Sequence, residues 1–161
     1  MQTISFHAAI TLTNMSESTF RRKIRAGLIK QMRKNDETGR PMIDIDSIRR
    51  HISVKLEIED WQLMKQADAG DADAQTELGL LFQSQGKYRS TVFWLKSAMK
   101  KGNRDAMHWM GRCYIEGKGV PGNEDMGMML IAKSAALGHA ISQGQMAAMR
   151  KTFVERFVDA Q

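Results

Sequence analysis

The strongest constraint on this 161-residue chain is a phrase that it uses three times. Gly70-Asp71-Ala72-Asp73-Ala74-Gln75-Thr76-Glu77-Leu78-Gly79 returns as Gly102-Asn103-Arg104-Asp105-Ala106-Met107-His108-Trp109-Met110-Gly111, and more weakly as Gly138-His139-Ala140-Ile141-Ser142-Gln143-Gly144-Gln145-Met146-Ala147. The leading glycines stand 32 and then 36 residues apart. A small residue recurs at one place (Ala74, Ala106, Ser142) and an apolar one at another (Leu78, Met110, Met146). A period of this size predicts helical hairpins stacked side by side, each burying its apolar face only against its neighbours. Such stacks offer surfaces to partners and rarely carry out chemistry.

The spacing predicts a leading helix through Trp61, Leu63, Met64 and Ala67, then a hairpin with helices at about 73–82 and 88–99. A second hairpin is expected at 105–115 and 124–137, and a third at 140–149 and 152–158. In the first hairpin Val92, Leu95 and Met99 face inward, or Trp94 and Ala98 on an adjoining side. Glycine inside a helix costs about 1 kcal/mol relative to alanine. Keeping Gly79 and Gly111 at one register position therefore predicts a close approach of helix backbones, with Ala74 and Ala106 serving the same need.

Charge separates the chain. Residues 1–56 carry 11 Lys/Arg against 5 Asp/Glu, whereas residues 57–161 carry 13 of each, so the whole net charge of +6 lies in the first third. A basic head on a neutral body predicts a polyanion partner for the head. The domain division that follows is 1–56 and 57–161, with residues 53–59 read as a helical extension between them.

The head reads as helix, turn, helix and wing. Ser5 is placed to cap a helix over about 6–11, with Ile4, Ala8, Ala9 and Leu12 inward. Ser16 caps a second helix over about 17–26, which Gly27 stops. Around this helix Phe20 and Ile24 lie about 40° apart and mark the buried side, so Ser18, Arg22 and Arg25 face outward, with Arg21 and Lys23 at the borders. Arginines and a hydroxyl on one helix face suit a major groove, through guanine edges and phosphates. Leu28–Arg33 and Met42–Ile45 are expected as strands of a hairpin that carries Arg33, Lys34 and Arg40 toward the phosphate backbone. Asp46 is expected to cap a closing helix through Ser47, Ile48 and Ile52.

The run Thr19-Phe20-Arg21-Arg22-Lys23-Ile24-Arg25-Ala26-Gly27-Leu28-Ile29, followed by a basic hairpin, resembles the winged helix–turn–helix head of MerR-type regulators and phage excisionases. The resemblance spans roughly residues 4–52. It implies that Ser18, Thr19, Arg21, Arg22 and Arg25 lie near double-stranded DNA, with Arg33, Lys34 and Arg40 as wing contacts. The chain departs from the MerR pattern after the loop, where Pro41-Met42-Ile43 replaces an arginine–tyrosine pair, and it lacks the long dimerising coiled coil. The body resembles Sel-one-like repeats, relatives of tetratricopeptide repeats. Ala69-Gly70-Asp71-Ala72-Asp73-Ala74-Gln75, Leu78-Gly79, Gly117-Lys118-Gly119-Val120 and Ala135-Ala136-Leu137-Gly138-His139 carry that likeness. It implies an adaptor surface for another protein.

The expected fold is mainly α, a small winged head followed by an α-solenoid of about two and a half hairpins. The expected function is a DNA-binding transcriptional regulator whose repeats hold a protein partner or a second copy, because one small head binds weakly alone. The alternative is a protein-interaction adaptor whose head does not bind DNA. His7, His51, His108 and His139 have no metal-ligand spacing, and His139 reads as structural. Cys113 takes an apolar repeat position and reads as a buried, inert thiol, and Gly117-Lys118-Gly119 lacks phosphate-loop spacing. No enzyme, catalytic residue, metal or cofactor is expected. Of the 13 methionines, Met110 and Met146 are assigned to the core. Met126, Met128 and Met129 cannot all face inward and are candidate partner-binding residues. One cysteine, no basic-then-apolar leader and no run near the roughly 18 apolar residues of a membrane span predict a cytoplasmic, non-membrane protein.

Overall fold

The computed structural model describes residues 3–32 and 41–158. The head contains β1 (Thr3–Ser5), α1 (Phe6–Thr13), α2 (Glu17–Arg25), β2 (Gln31–Met32), β3 (Met42–Asp44) and α3 (Ile45–Ile48), followed by a 3-10 turn at Arg49–His51. Ser5 caps α1 by accepting from the Ala8 amide, and Ser16 caps α2 by accepting from the Thr19 amide, both at 3.2 Å. Asn14 closes α1 in the left-handed region at φ 52°, a conformation asparagine tolerates better than most side chains. Gly27 follows the end of α2 at φ +70°, where a Cβ would be strained. In the antiparallel order β1-β3-β2, Ile4 and Gln31 both stand opposite Ile43. That register buries Ile4 and Ile43 against Ala8, Ala9, Leu12 and Phe20.

Several expectations are corrected. β1 comes as an addition, since three residues before a capped helix give too short a pattern to read. The second strand is Gln31–Met32 within the described residues, and Leu28, expected in it, is largely exposed before the pairing begins. The cap of α3 is Asp44, which accepts from the Asp46 amide, and Asp46 instead pairs with Arg49 at 2.7 Å. The segment after the 3-10 turn is not a helical extension; α4 begins only at Ile58, where Glu57 and Asp60 form a reciprocal capping box.

The body contains α4 (Ile58–Ala69), α5 (Ala72–Ser84), α6 (Tyr88–Lys100), α7 (Arg104–Glu116), α8 (Glu124–Ala136) and α9 (Ala140–Val158). The repeated Asp71 and Asn103 are N-caps, each accepting from the amide three residues on at 2.7 and 2.8 Å. The leading glycines Gly70, Gly102 and Gly138 all have positive φ, so the phrase marks a helix stop and the next helix start. The expected third hairpin is instead one helix, because nothing from Ala140 to Val158 breaks it.

By compactness the chain divides into residues 1–94 and 95–161, with the boundary inside α6. In the first unit a single apolar core runs from Ile4 and Leu12 through Met64, Ala67, Leu78 and Phe82 to Trp94. Polar bonds follow the same route. Both Ser5 donors reach the Asp68 carboxylate, Ser90 Oγ donates to the Thr11 carbonyl at 2.8 Å, and Trp94 Nε1 donates to Thr11 Oγ1 at 3.1 Å. Residue 56, where charge divides the chain, therefore lies inside this unit. In the second unit α7 packs on α8 and α8 on α9, around Leu95, Ala98, Ala106, Met107, Met110, Cys113, Leu130 and Ile131. Met146, assigned to the core from the repeat register, is only half-buried because α9 is covered by α8 on one side alone.

Candidate functional site

The outward side of α2 is the most developed polar surface of the head. Phe20 is fully buried and Ile24 half-buried, which turns Ser18, Thr19, Arg22 and Arg25 onto one open, shallow cleft. Ser16 at the helix start organises its edge, lying 3.1 Å from Ser18 Oγ and 2.9 Å from Thr19 Oγ1. Arg22 and Arg25 are exposed and have no ion-pair partner among the described residues. Arg21 differs. Its guanidinium pairs with Glu17 at 2.7 Å and lies 4.6 Å from the Phe6 ring centre, which draws it back from the cleft. Behind the helix, burial and the charges of Lys23 and Arg50 hold the His51 imidazole below its usual pKa. Arg33, Lys34 and Arg40 lie outside the described residues.

The three methionines of α8 do not form one group. Met126 and Met129 are exposed and lie three residues apart on one side of the helix, whereas Met128 is turned away and half-buried. Further along, α9 exposes Ile141, Met149, Phe153 and Val154. The periodic phrase masked this surface, since it assigns inward positions without saying whether a neighbouring helix is there to cover them.

A buried polar cluster joins the second unit. Ser142 Oγ, which has no exposure, lies 2.8 Å from His108 Nδ1, 2.9 Å from His139 Nδ1 and 3.1 Å from Ser134 Oγ, and Ser134 Oγ donates to the Arg104 carbonyl. Asp105 stands 3.7 Å from His139 Nε2. Serine, histidine and aspartate together resemble nucleophilic machinery, yet a hydroxyl sealed from solvent meets no substrate, and the cluster ties α7, α8 and α9 together. Burial first, then the neighbouring His139 and Arg112, lowers the His108 pKa, with Asp105 opposing. The sequence signal was Ser142, a hydroxyl in the slot that Ala74 and Ala106 fill. Cys113 is buried, and burial raises its thiol pKa. Lys118 of the Gly-Lys-Gly turn pairs with Glu116, whose pKa is lowered by hydrogen bonds from Lys118 and Arg112.

No family model matches the sequence, and no curated protein is significantly similar to it. Solved structures are. The protective antigen c5321 of uropathogenic Escherichia coli, which displays an SLR fold, is 26% identical over 56% of this chain, with a TM-score of 0.51. Cysteine rich protein B of Helicobacter pylori is 19% identical over 81% of this chain and 96% of its own, with a TM-score of 0.50. The body has the Sel1-like repeat fold. A Sel1 repeat protein from Oxalobacter formigenes is 29% identical over 55% of this chain and 70% of its own, with a TM-score of 0.46. The chain spans about a fifth of the length of the E. coli antigen. Among the described residues no helix is long and apolar enough to cross a membrane.

Proposed function

We propose that this protein is an interaction adaptor, in which the Sel1-like repeats hold a protein partner and the basic head docks on a second, polyanionic one. The observation that carries the head's part is the pair Arg22 and Arg25. They stand on one open face beside two hydroxyls and without a counter-ion among the described residues, whereas Arg21, Arg49, Arg104 and Arg112 all have carboxylate partners. Two desolvation-ready guanidinium groups and two hydroxyls on a helix face match what duplex DNA asks of a groove helix. The finer reading is therefore a MerR- or excisionase-like regulator, with Ser18, Thr19, Arg22 and Arg25 on DNA, Arg21 beside them, and Arg33, Lys34 and Arg40 on the backbone. Exposed Met126 and Met129, with Met128 behind them, are the proposed partner-facing residues of the body, and pairing of two copies through the repeats would supply the second DNA half-site.

The test is fluorescence anisotropy of the full chain with a random duplex pool at low and moderate salt, followed by selection. Binding should weaken steeply with salt, and Arg22→Ala should cost about 1–3 kcal/mol on the selected sequence. Undiminished binding by that variant removes α2 from the interface. No binding to any duplex leaves the adaptor with a head that docks on protein, to be followed by capture of partners on wild type and on a variant with Met126 and Met129 replaced by Ser.

A further inference from the structure

A second hollow lies within the first unit, between α1, the start of α2 and the first turns of α6. It measures about 160 Å³ and is lined by His7, Ile10, Asn14, Met15, Arg89 and Phe93 over a floor of Thr11 and Ser90. The floor makes no demand on a guest. Ser90 Oγ already donates to the Thr11 carbonyl, and Thr11 Oγ1 donates to the Ala8 carbonyl while accepting from Trp94. Glu17 at the rim is held by Arg21. Phe93 stands parallel to His7, with ring centres 5.9 Å apart, and edge-on to Trp94, which fixes its ring as a firm wall.

Arg89 is the exception. It stands exposed at the mouth of the hollow, beside Ile10, Met15 and Phe93, and has no hydrogen bond or ion pair among the described residues. A guanidinium at the mouth with no carboxylate partner of its own is free to meet an anion seated in the hollow. Its planar fork matches a carboxylate. The Asn14 side chain offers further donors on the opposite lip, on a backbone fixed in the left-handed region. A cavity of about 150 Å³ with apolar walls is known to accept one benzene ring, so the space here is that of a single ring with a short substituent. Methionine sulfur and an aromatic wall favour an aromatic guest.

We propose that this hollow is a binding site for a small aromatic carboxylate, with Arg89 as its counter-ion and Ile10, Met15 and Phe93 around its ring. The site stands independently of the DNA reading. Because it is lined from both the head and α6, occupancy stabilises the first unit as a whole.

The probe is phenylacetate, titrated into the full chain and followed by two-dimensional amide NMR, with phenethylamine as the control of equal shape and opposite charge. Phenylacetate should move the amides of Ile10, Asn14, Arg89 and Phe93 saturably in the millimolar range, as suits so small a ligand. Phenethylamine should leave them in place. Arg89→Gln should weaken phenylacetate about three- to fivefold, the size of one exposed charge pair lost. Ile10→Phe, which fills the hollow and keeps the charge, should abolish saturation, and well-dispersed spectra of both variants establish that they are folded. Equal responses to the two probes, unchanged affinity in Arg89→Gln, saturation in Ile10→Phe, or shifts confined to other amides would each overturn the site.

Discussion

Where α7 crosses α8, two glycines lie against each other's backbones, and adding one methyl group there tests the packing directly. A Cβ on Gly111 would sit 2.8 Å from both the Gly127 carbonyl oxygen and Ile131 Cγ1. A Cβ on Gly127 would sit 2.7 Å from the Gly111 carbonyl oxygen, 2.5 Å from Ile115 Cγ1 and 3.2 Å from the Ile115 nitrogen. Ile115 Cγ1 and Ile131 Cγ1 belong to β-branched side chains whose χ1 is restricted in a helix, and Ile131 is buried. The carbonyls cannot move either, so the helices must separate by several tenths of an ångström. Overpacking of this kind costs about 1–3 kcal/mol, while replacing a helical glycine by alanine returns about 0.8–1 kcal/mol. Gly127→Ala should therefore lose about 0–2 kcal/mol on balance, and Gly111→Ala somewhat less. Gly144 in α9 supplies the control, since a Cβ there would meet nothing within 4 Å. Gly144→Ala should gain about 0.5–1 kcal/mol. The propensity gain is common to all three variants, so their differences isolate the contact. Urea denaturation followed by circular dichroism measures them, and hydrogen exchange of α7 and α8 amides locates the loss. A Gly127→Ala protein as stable as Gly144→Ala would refute close backbone packing at this crossing.

The buried His108 gives a pH dependence of definite sign. Its pKa is lowered in the folded chain, so below the ordinary histidine value of about 6.5 the unfolded chain binds a proton that the folded one refuses, and stability falls as pH drops, by up to about 1.4 kcal/mol per unit. Urea midpoints at pH 7.5, 6 and 5 should show a shallower fall in His108→Gln than in wild type; equal slopes would contradict the assignment. Cys113 should react with a thiol reagent only as fast as its unit opens, and complete labelling of the native protein within the mixing time would show that the thiol is not buried. Asp71→Ala removes the cap bond to the Ala74 amide and should lower stability by about 0.5–2 kcal/mol, while Asp71→Asn keeps an acceptor and should lose much less.

Much of this architecture could be read from the sequence, and the failures share a cause. Ser5, Ser16 and Gly27 act locally, through atoms three residues away or less, and the ends of α1 and α2 fall close to where those residues indicate. The glycine phrase is local too, and the helix starts at Ala72 and Arg104 follow from it. What could not be read depends on distant partners. Asp44 and Asp46 are equally good caps on paper, and only the pairing of β3 with β1 decides between them. Met146 has a core pattern, but burial needs a neighbour that a pattern does not supply. Arg21 and Arg22 are adjacent and chemically identical; the Phe6 ring and Glu17 separate one from the other. At the candidate site, then, the residue types were legible and their division into paired and unpaired cations was not.

The continuous core of the first unit bears on how such a protein can be assembled and taken apart. A cut at residue 56 would take Asp68 from Ser5, Gln85 from Lys55, and Ser90 and Trp94 from Thr11, and would divide the apolar core that holds Leu12 together with Met64 and Leu78. The head is thus not a bead on a string that recombination could move to another protein at a charge boundary. Its smallest transferable piece reaches into α6, so any lineage exchanging this head must carry with it the first repeat helices that Ser5, Thr11 and Lys55 bond.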